Sequence, residues 1–91
     1  MRLDLFLKVS RLCPRRTVAQ KLCEAGLVQV DGRSAKAGHR VKPGDEITIR
    51  RRDHITTVRI SLLPEGRQTS RQQAGSLFEV LKDELIDGDD Q

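Results

Sequence analysis

Apolar positions recur at helical spacing through the first twenty-six residues, and from residue 27 onward they alternate with polar ones. Leu3, Phe6, Leu7 and Ser10 follow the i, i+3, i+4, i+7 rule, with Leu5, Val9 and Leu12 widening the apolar side. Val18, Leu22 and Ala25 repeat the pattern in a second segment. The pattern predicts two short helices broken at Cys13-Pro14, because proline lacks an amide donor and pushes the residue before it out of helical geometry. Two starts for the second helix are open. Either Pro14 is its first residue, or Thr17 caps it and Gln20 completes a capping box. Gly26 then closes it in the left-handed conformation.

Beyond Gly26 the sequence LVQV leads into Asp31-Gly32, a dipeptide suited to a tight hairpin turn. Pro43-Gly44 occupies the central positions of a type II turn. It feeds Glu46 to Arg50, with Ile47 and Ile49 inward, and a second strand follows over Ile55 to Leu63 with Thr56, Val58, Ile60 and Leu62 on one side. Arg51 to His54 connects the two strands. Residues 64–75 are rich in Gln, Ser, Arg and Gly without periodicity, as in a flexible linker. Residues 76–86 read as an amphipathic helix capped by Ser76 and Glu79, with Leu77, Val80, Leu81 and Leu85 on its apolar side. Residues 87–91 form an acidic tail expected to be disordered. The expected fold is α+β: two N-terminal helices packed on a small, mostly antiparallel sheet over residues 1–63, then the linker and a C-terminal helix.

Charge sharpens this picture. Residues 1–60 hold 14 Lys and Arg against 6 Asp and Glu, whereas residues 61–91 hold 3 against 7. A cationic face of this strength attracts a polyanion. No long apolar run offers a membrane anchor, so the expected partner is nucleic acid and not a membrane. With only Phe6 and Phe78 as aromatics, binding must rely on phosphates and shape more than on base stacking. On the polar side of the first helix Asp4, Lys8 and Arg11 share a stripe that leads to Arg15 and Arg16; Asp4 either favours the helix dipole and pairs with Lys8 or orients a neighbouring arginine. Those arginines fall at the start of the second helix, where backbone amides favour an anion. Thr17 and Lys21 extend the surface, and Arg33 and Lys36 lie at or past the hairpin tip, within reach of the same nucleic acid. Arg50 to Arg52 either contact RNA or keep a sheet edge charged and unpaired.

Cys13 and Cys23 match no zinc or redox spacing, and His39 and His54 have no nucleophile or ligand partner at a useful spacing. No catalytic role, metal or cofactor is expected. The absence of a secretory or transit pattern points to the cytoplasm. A helix-turn-helix DNA-binding protein is the rival reading, but Gln20, Lys21 and Glu24 offer few base-reading groups on the second helix.

The order helix, basic corner, helix, Gly, short strand, DG turn and VKPGDEI resembles the S-four RNA-binding domain, also called the αL motif. Within that superfamily MRLDLFLKVSRLCPRRTVAQKLCEAGLVQVDG, Ala35-Lys36 and VKPGDEITIR look most like the RqcP-type ribosome-quality-control factors of bacteria. The heat-shock protein fifteen family is a close relative and an alternative assignment. The resemblance implies a non-catalytic factor, monomeric when free, on obstructed large ribosomal subunits. There it would contact large-subunit rRNA and P-site peptidyl-tRNA while an RqcH-type tailing factor adds C-terminal alanines to the stalled chain. It also implies that the functional arginine of the RRT motif is Arg16, and that the RLD motif maps to Arg2 and Asp4.

Overall fold

The computed structural model describes residues 1–64 and 70–85. Helix α1, Leu3–Val9, buries Leu3, Phe6, Leu7 and Val9 and is followed by helix α2, Arg16–Glu24. Neither expected start of α2 is used. Arg15 is the N-cap in extended geometry, Thr17 lies inside the first turn, and Gln20 turns away from the capping box to donate to Asp4 at 2.9 Å. A hydrogen bond to an ionised carboxylate is stronger than one to a neutral cap, so Asp4 wins the amide. The buried residues of α2 are Ala19 and Cys23. Val18 and Leu22 are only half-buried and Ala25 is exposed, because the small side chains are the ones that turn inward. Gly26 takes φ +76° and ends α2 as expected.

The chain then forms one antiparallel sheet. Strands β1 (Val28–Val30) and β2 (Arg33–Ser34) are joined by Asp31 and Gly32 at φ +52° and +86°, both positive as a two-residue hairpin with the right-handed strand twist requires. Gly44 at φ +94° and the 3.1 Å bond from the Asp45 amide to the Lys42 carbonyl make the Pro43-Gly44 turn. Asp45 is itself buried; its carboxylate accepts from the Lys42 amide at 3.0 Å and from Lys42 Nζ at 2.9 Å. Strand β3 (Glu46–Arg50) follows, then β4 (His54–Ile60), in register Ile47 with Val58 and Ile49 with Thr56. One sheet face, carrying Val28, Val30, Ile47, Ile49, Val58 and Ile60, meets α1 and α2 and forms the core. The opposite face carries Gln29, Thr48 and Thr57 and is solvated, with a 3.1 Å hydroxyl pair between Thr48 and Thr57.

The C-terminal region departs from expectation. Helix α3, Arg71–Gly75, occupies the end of the expected linker, and its capping box is Ser70 with Gln73 rather than Ser76 with Glu79. Where a helix was expected over 76–86, Phe78–Leu85 form strand β5, so the sheet order is β2-β1-β3-β4-β5. Pairing explains the switch. Phe78 lies opposite Ile60 and Val80 opposite Val58, completing the ladder that β4 would otherwise leave open. Long-range pairing of this kind overrides a local helical period. A register shift between Thr57 and Val58 places one extra residue in β5, which brings Val80, Leu81 and Lys82 against only two residues of β4. Strand β4 stops at Ile60, short of the expected Leu63, and Leu62 is exposed, because the Ser61 and Leu62 amides turn to the Leu77 carbonyl. Residues 65–69 of the expected linker and the whole expected acidic tail lie outside the described residues.

Candidate nucleic-acid interface

The corner between α1 and α2 is built on a buried charge. Asp4 is fully buried in the first turn of α1. It receives Arg2 Nε at 3.2 Å on Oδ1, and Arg16 Nε at 3.1 Å and Gln20 Nε2 at 2.9 Å on Oδ2; the Leu5 amide adds a fourth donor at 2.8 Å. Burial pushes the Asp4 carboxyl up, but the bonds from Gln20, Arg16 and Arg2 outweigh it and hold the group at about 2. Asp4 is therefore ionised at neutral pH and fixes two half-exposed guanidiniums side by side, their outer faces open to solvent. An arginine held in place loses less rotamer entropy when it meets a phosphate.

The corner itself turns through Arg11, the C′ residue of α1, at φ +64°, a conformation uncommon for a residue with a side chain. From the β3–β4 turn, the Arg51 guanidinium donates to the Leu12 carbonyl and braces the corner from below. The start of α2 has no side-chain cap, which leaves its first-turn amides without a side-chain acceptor and favourable to an anion.

The expected residues separate into groups. The structure brings Arg2, Asp4 and Arg16 together directly. Arg15, Thr17 and Lys21 are exposed on α2, Arg11 is exposed at the corner, and Lys8 is half-buried on α1. Arg33, in β2, and Lys36, just after it, are exposed beyond the hairpin turn. Asp4 has a different place from the expected polar stripe: it is an internal anchor and presents no surface of its own. Sequence reasoning missed Gln20 as an Asp4 ligand, although its position four residues after Arg16 puts both on one face of α2. It also misread the arginine run. Strand β3 is interior, between β1 and β4, so Arg50 to Arg52 do not mark a sheet edge.

The thiols of Cys13 and Cys23 are free and buried; burial raises both, that of Cys23 to about 11, which makes them poor nucleophiles. Among the described residues no group of His, Cys, Asp and Glu is placed to hold a metal ion, and no helix is long and apolar enough to cross a membrane.

Residues 1–47 match the S4 domain. The RQC P-site tRNA stabilizing factor of Halalkalibacterium halodurans is 49% identical over 86 residues, spanning 94% of this chain and 96% of that protein. The factor of the same name from Bacillus subtilis is 43% identical over 86 residues, spanning 94% and 98%. Among solved structures, trimeric heat shock protein 15 of Vibrio cholerae superposes with a TM-score of 0.80 at 29% identity, over 88% of this chain and 80% of that one. With identity sustained over nearly the whole length and the S4 match lying on the corner just described, the chain belongs to the S4-domain family of RQC P-site tRNA stabilizing factors.

Proposed function

We propose that the protein is a non-catalytic RNA-binding factor of bacterial ribosome-associated quality control, acting in the cytoplasm on large ribosomal subunits that still carry peptidyl-tRNA. It contacts rRNA and the P-site tRNA at once and holds the tRNA while an RqcH-type factor extends the stalled chain with alanine. The observation that carries this reading is the Asp4-centred pair of guanidiniums beside the uncapped start of α2, set in a chain whose relatives are named for stabilising P-site tRNA. Cations held in place at the corner between two helices suit the phosphate backbone of a shaped RNA. Duplex-DNA readout is less well supported, because Gln20 is consumed by Asp4 and is not free to read a base edge. No acid-base pair, metal or cofactor enters this reading.

A second reading, a factor that acts on large subunits in the manner of the heat-shock protein fifteen family, draws on the structural likeness to heat shock protein 15. Sucrose-gradient sedimentation of lysate containing the tagged protein, with identification of what co-purifies, separates the two. Large subunits with peptidyl-tRNA and a tailing partner support the first, large subunits alone the second, and no ribosomal association refutes both. In the same gradients Arg16→Ala weakens association by about 1–3 kcal/mol through loss of a charge-assisted phosphate contact.

A further inference from the structure

A cationic groove lies beyond Arg2, at the residue with which Arg2 is bridged. Arg2 forms an isolated antiparallel bridge with Arg40, and its guanidinium lies over Gly38, 3.7 Å from where a side chain at that position would begin. Directly opposed residues of such a bridge send their side chains to the same face, and like charges there repel. Arg2 is drawn aside by Asp4. Arg40 has no such counter-charge among the described residues, and it lines a groove with Arg33, His39 and Lys42 over a floor of Val30 and Ala35.

Two carboxylates also line this groove, yet both are engaged by the fold. Asp31 Oδ1 accepts the Glu46 amide at 3.0 Å, and Asp45 accepts the Lys42 amide and ammonium. What remains for a ligand is a concave, net-positive surface with the guanidiniums of Arg33 and Arg40 exposed. Such a surface takes an oxyanion with several acceptor oxygens, and guanidinium forks match phosphate. Arg2, bridged to Arg40 and ion-paired to Asp4, links the groove to the corner, so a single polyanion can reach both.

We propose that the groove formed by Arg33, His39, Arg40 and Lys42 is a second phosphate-binding site, which takes the RNA backbone as it continues past Arg16 and Arg2. This rests on the RNA-binding reading given above and extends the footprint beyond α1 and α2 to the β1–β2 hairpin and the 36–42 loop. The corner fixes one stretch of backbone and the groove a neighbouring one, so the RNA is gripped across two points and its direction over the protein is set.

The test is the salt dependence of binding to purified large subunits carrying peptidyl-tRNA, measured across a potassium chloride series for the wild type, Arg40→Ala, Arg40→Lys and Arg16→Ala. Lys82→Ala, on β5, serves as a charge-matched control. Each lost phosphate contact lowers the slope of log affinity against log salt by about 0.7–0.9. Arg40→Ala is expected to bind several-fold more weakly with the slope reduced by that amount, Arg40→Lys to restore the slope, and Lys82→Ala to match the wild type. The Arg40 side chain is exposed, so melting curves are expected to coincide. If Arg40→Ala keeps the wild-type slope while Arg16→Ala loses affinity, the groove is not a contact and the RNA-binding reading stands without it. If the wild type itself does not bind, the reading and the groove fall together.

Discussion

The corner and strand β5 both carry charges and use them in opposite ways. At the corner one carboxylate is fully buried and saturated by four donors, and it decides where two arginines point. On β5, Glu79 and Lys82 are exposed and make longer pairs, Glu79 with Arg59 at 3.7 Å and Lys82 with Glu84 at 3.7 Å. A buried, fully satisfied charge fixes geometry and is costly to disturb, whereas solvated pairs contribute little. The proposed binding surface is therefore specified from the inside, by a residue that presents no surface of its own.

Core and charge can be weighed against each other by mutation. The largest loss is expected from Phe6→Ala, which empties a fully buried aromatic site beneath both helices and lowers stability by about 3–5 kcal/mol in chemical denaturation. Asp4→Asn comes next, at about 1–3 kcal/mol, since it removes the charge from the hydrogen bonds that Arg2, Leu5, Arg16 and Gln20 donate while leaving Arg2 and Arg16 able to hydrate. Its sharper readout is RNA affinity, which falls although Asp4 presents no surface. Unchanged affinity in a folded Asp4→Asn protein would show that the arginines need no anchor.

Acid titration probes the same contrast without mutation. The Asp4 carboxyl lies below its ordinary value of 3.8, at about 2, so the native state binds fewer protons than the unfolded chain near that range. Its contribution, of order 2 kcal/mol, is complete above pH 4 and is lost as pH falls toward 2. The wild type should lose stability in that window and Asp4→Asn should lose less, as followed by circular dichroism at fixed denaturant. The smallest effect belongs to β5. Glu79→Ala removes an exposed 3.7 Å pair and is expected to change stability by less than about 1 kcal/mol; a larger loss would break the contrast.

Legibility followed the same division. Helices α1 and α2, the Asp31-Gly32 hairpin and the Pro43-Gly44 turn are set by local signals, periodicity and residues with special backbone preferences, and their presence was readable from the sequence, though the start and the buried face of α2 were not. The basic residues of the corner were also readable, as a cluster. The Asp4 network was legible only in part: that Asp4 can orient a neighbouring arginine was readable, but its bonds to Arg16 and Gln20 join residues twelve and sixteen apart, and a carboxylate in a first helical turn has an ordinary dipole role available. Strand β5 was misread for a related reason. Leu77, Val80, Leu81 and Leu85 fit a helical stripe, and the pairing of Phe78 with Ile60 that decides the matter depends on a partner strand far away in the chain.

Strand β5 has a consequence for how the protein behaves in company. Strand β4, His54–Ile60, contains five β-branched residues and one formal charge, the composition of a segment that readily recruits further strands from other molecules. With β5 in place, both of its edges are occupied, and β5 itself, outermost on that side, is interrupted by its extra residue and studded with Glu79, Lys82, Asp83 and Glu84. Those are the features by which natural sheets discourage templated growth. A chain shortened before Phe78 would keep the Asp4-centred corner and expose one edge of β4 along its whole length. Such a fragment would lose colloidal stability before it lost its ability to grip phosphate.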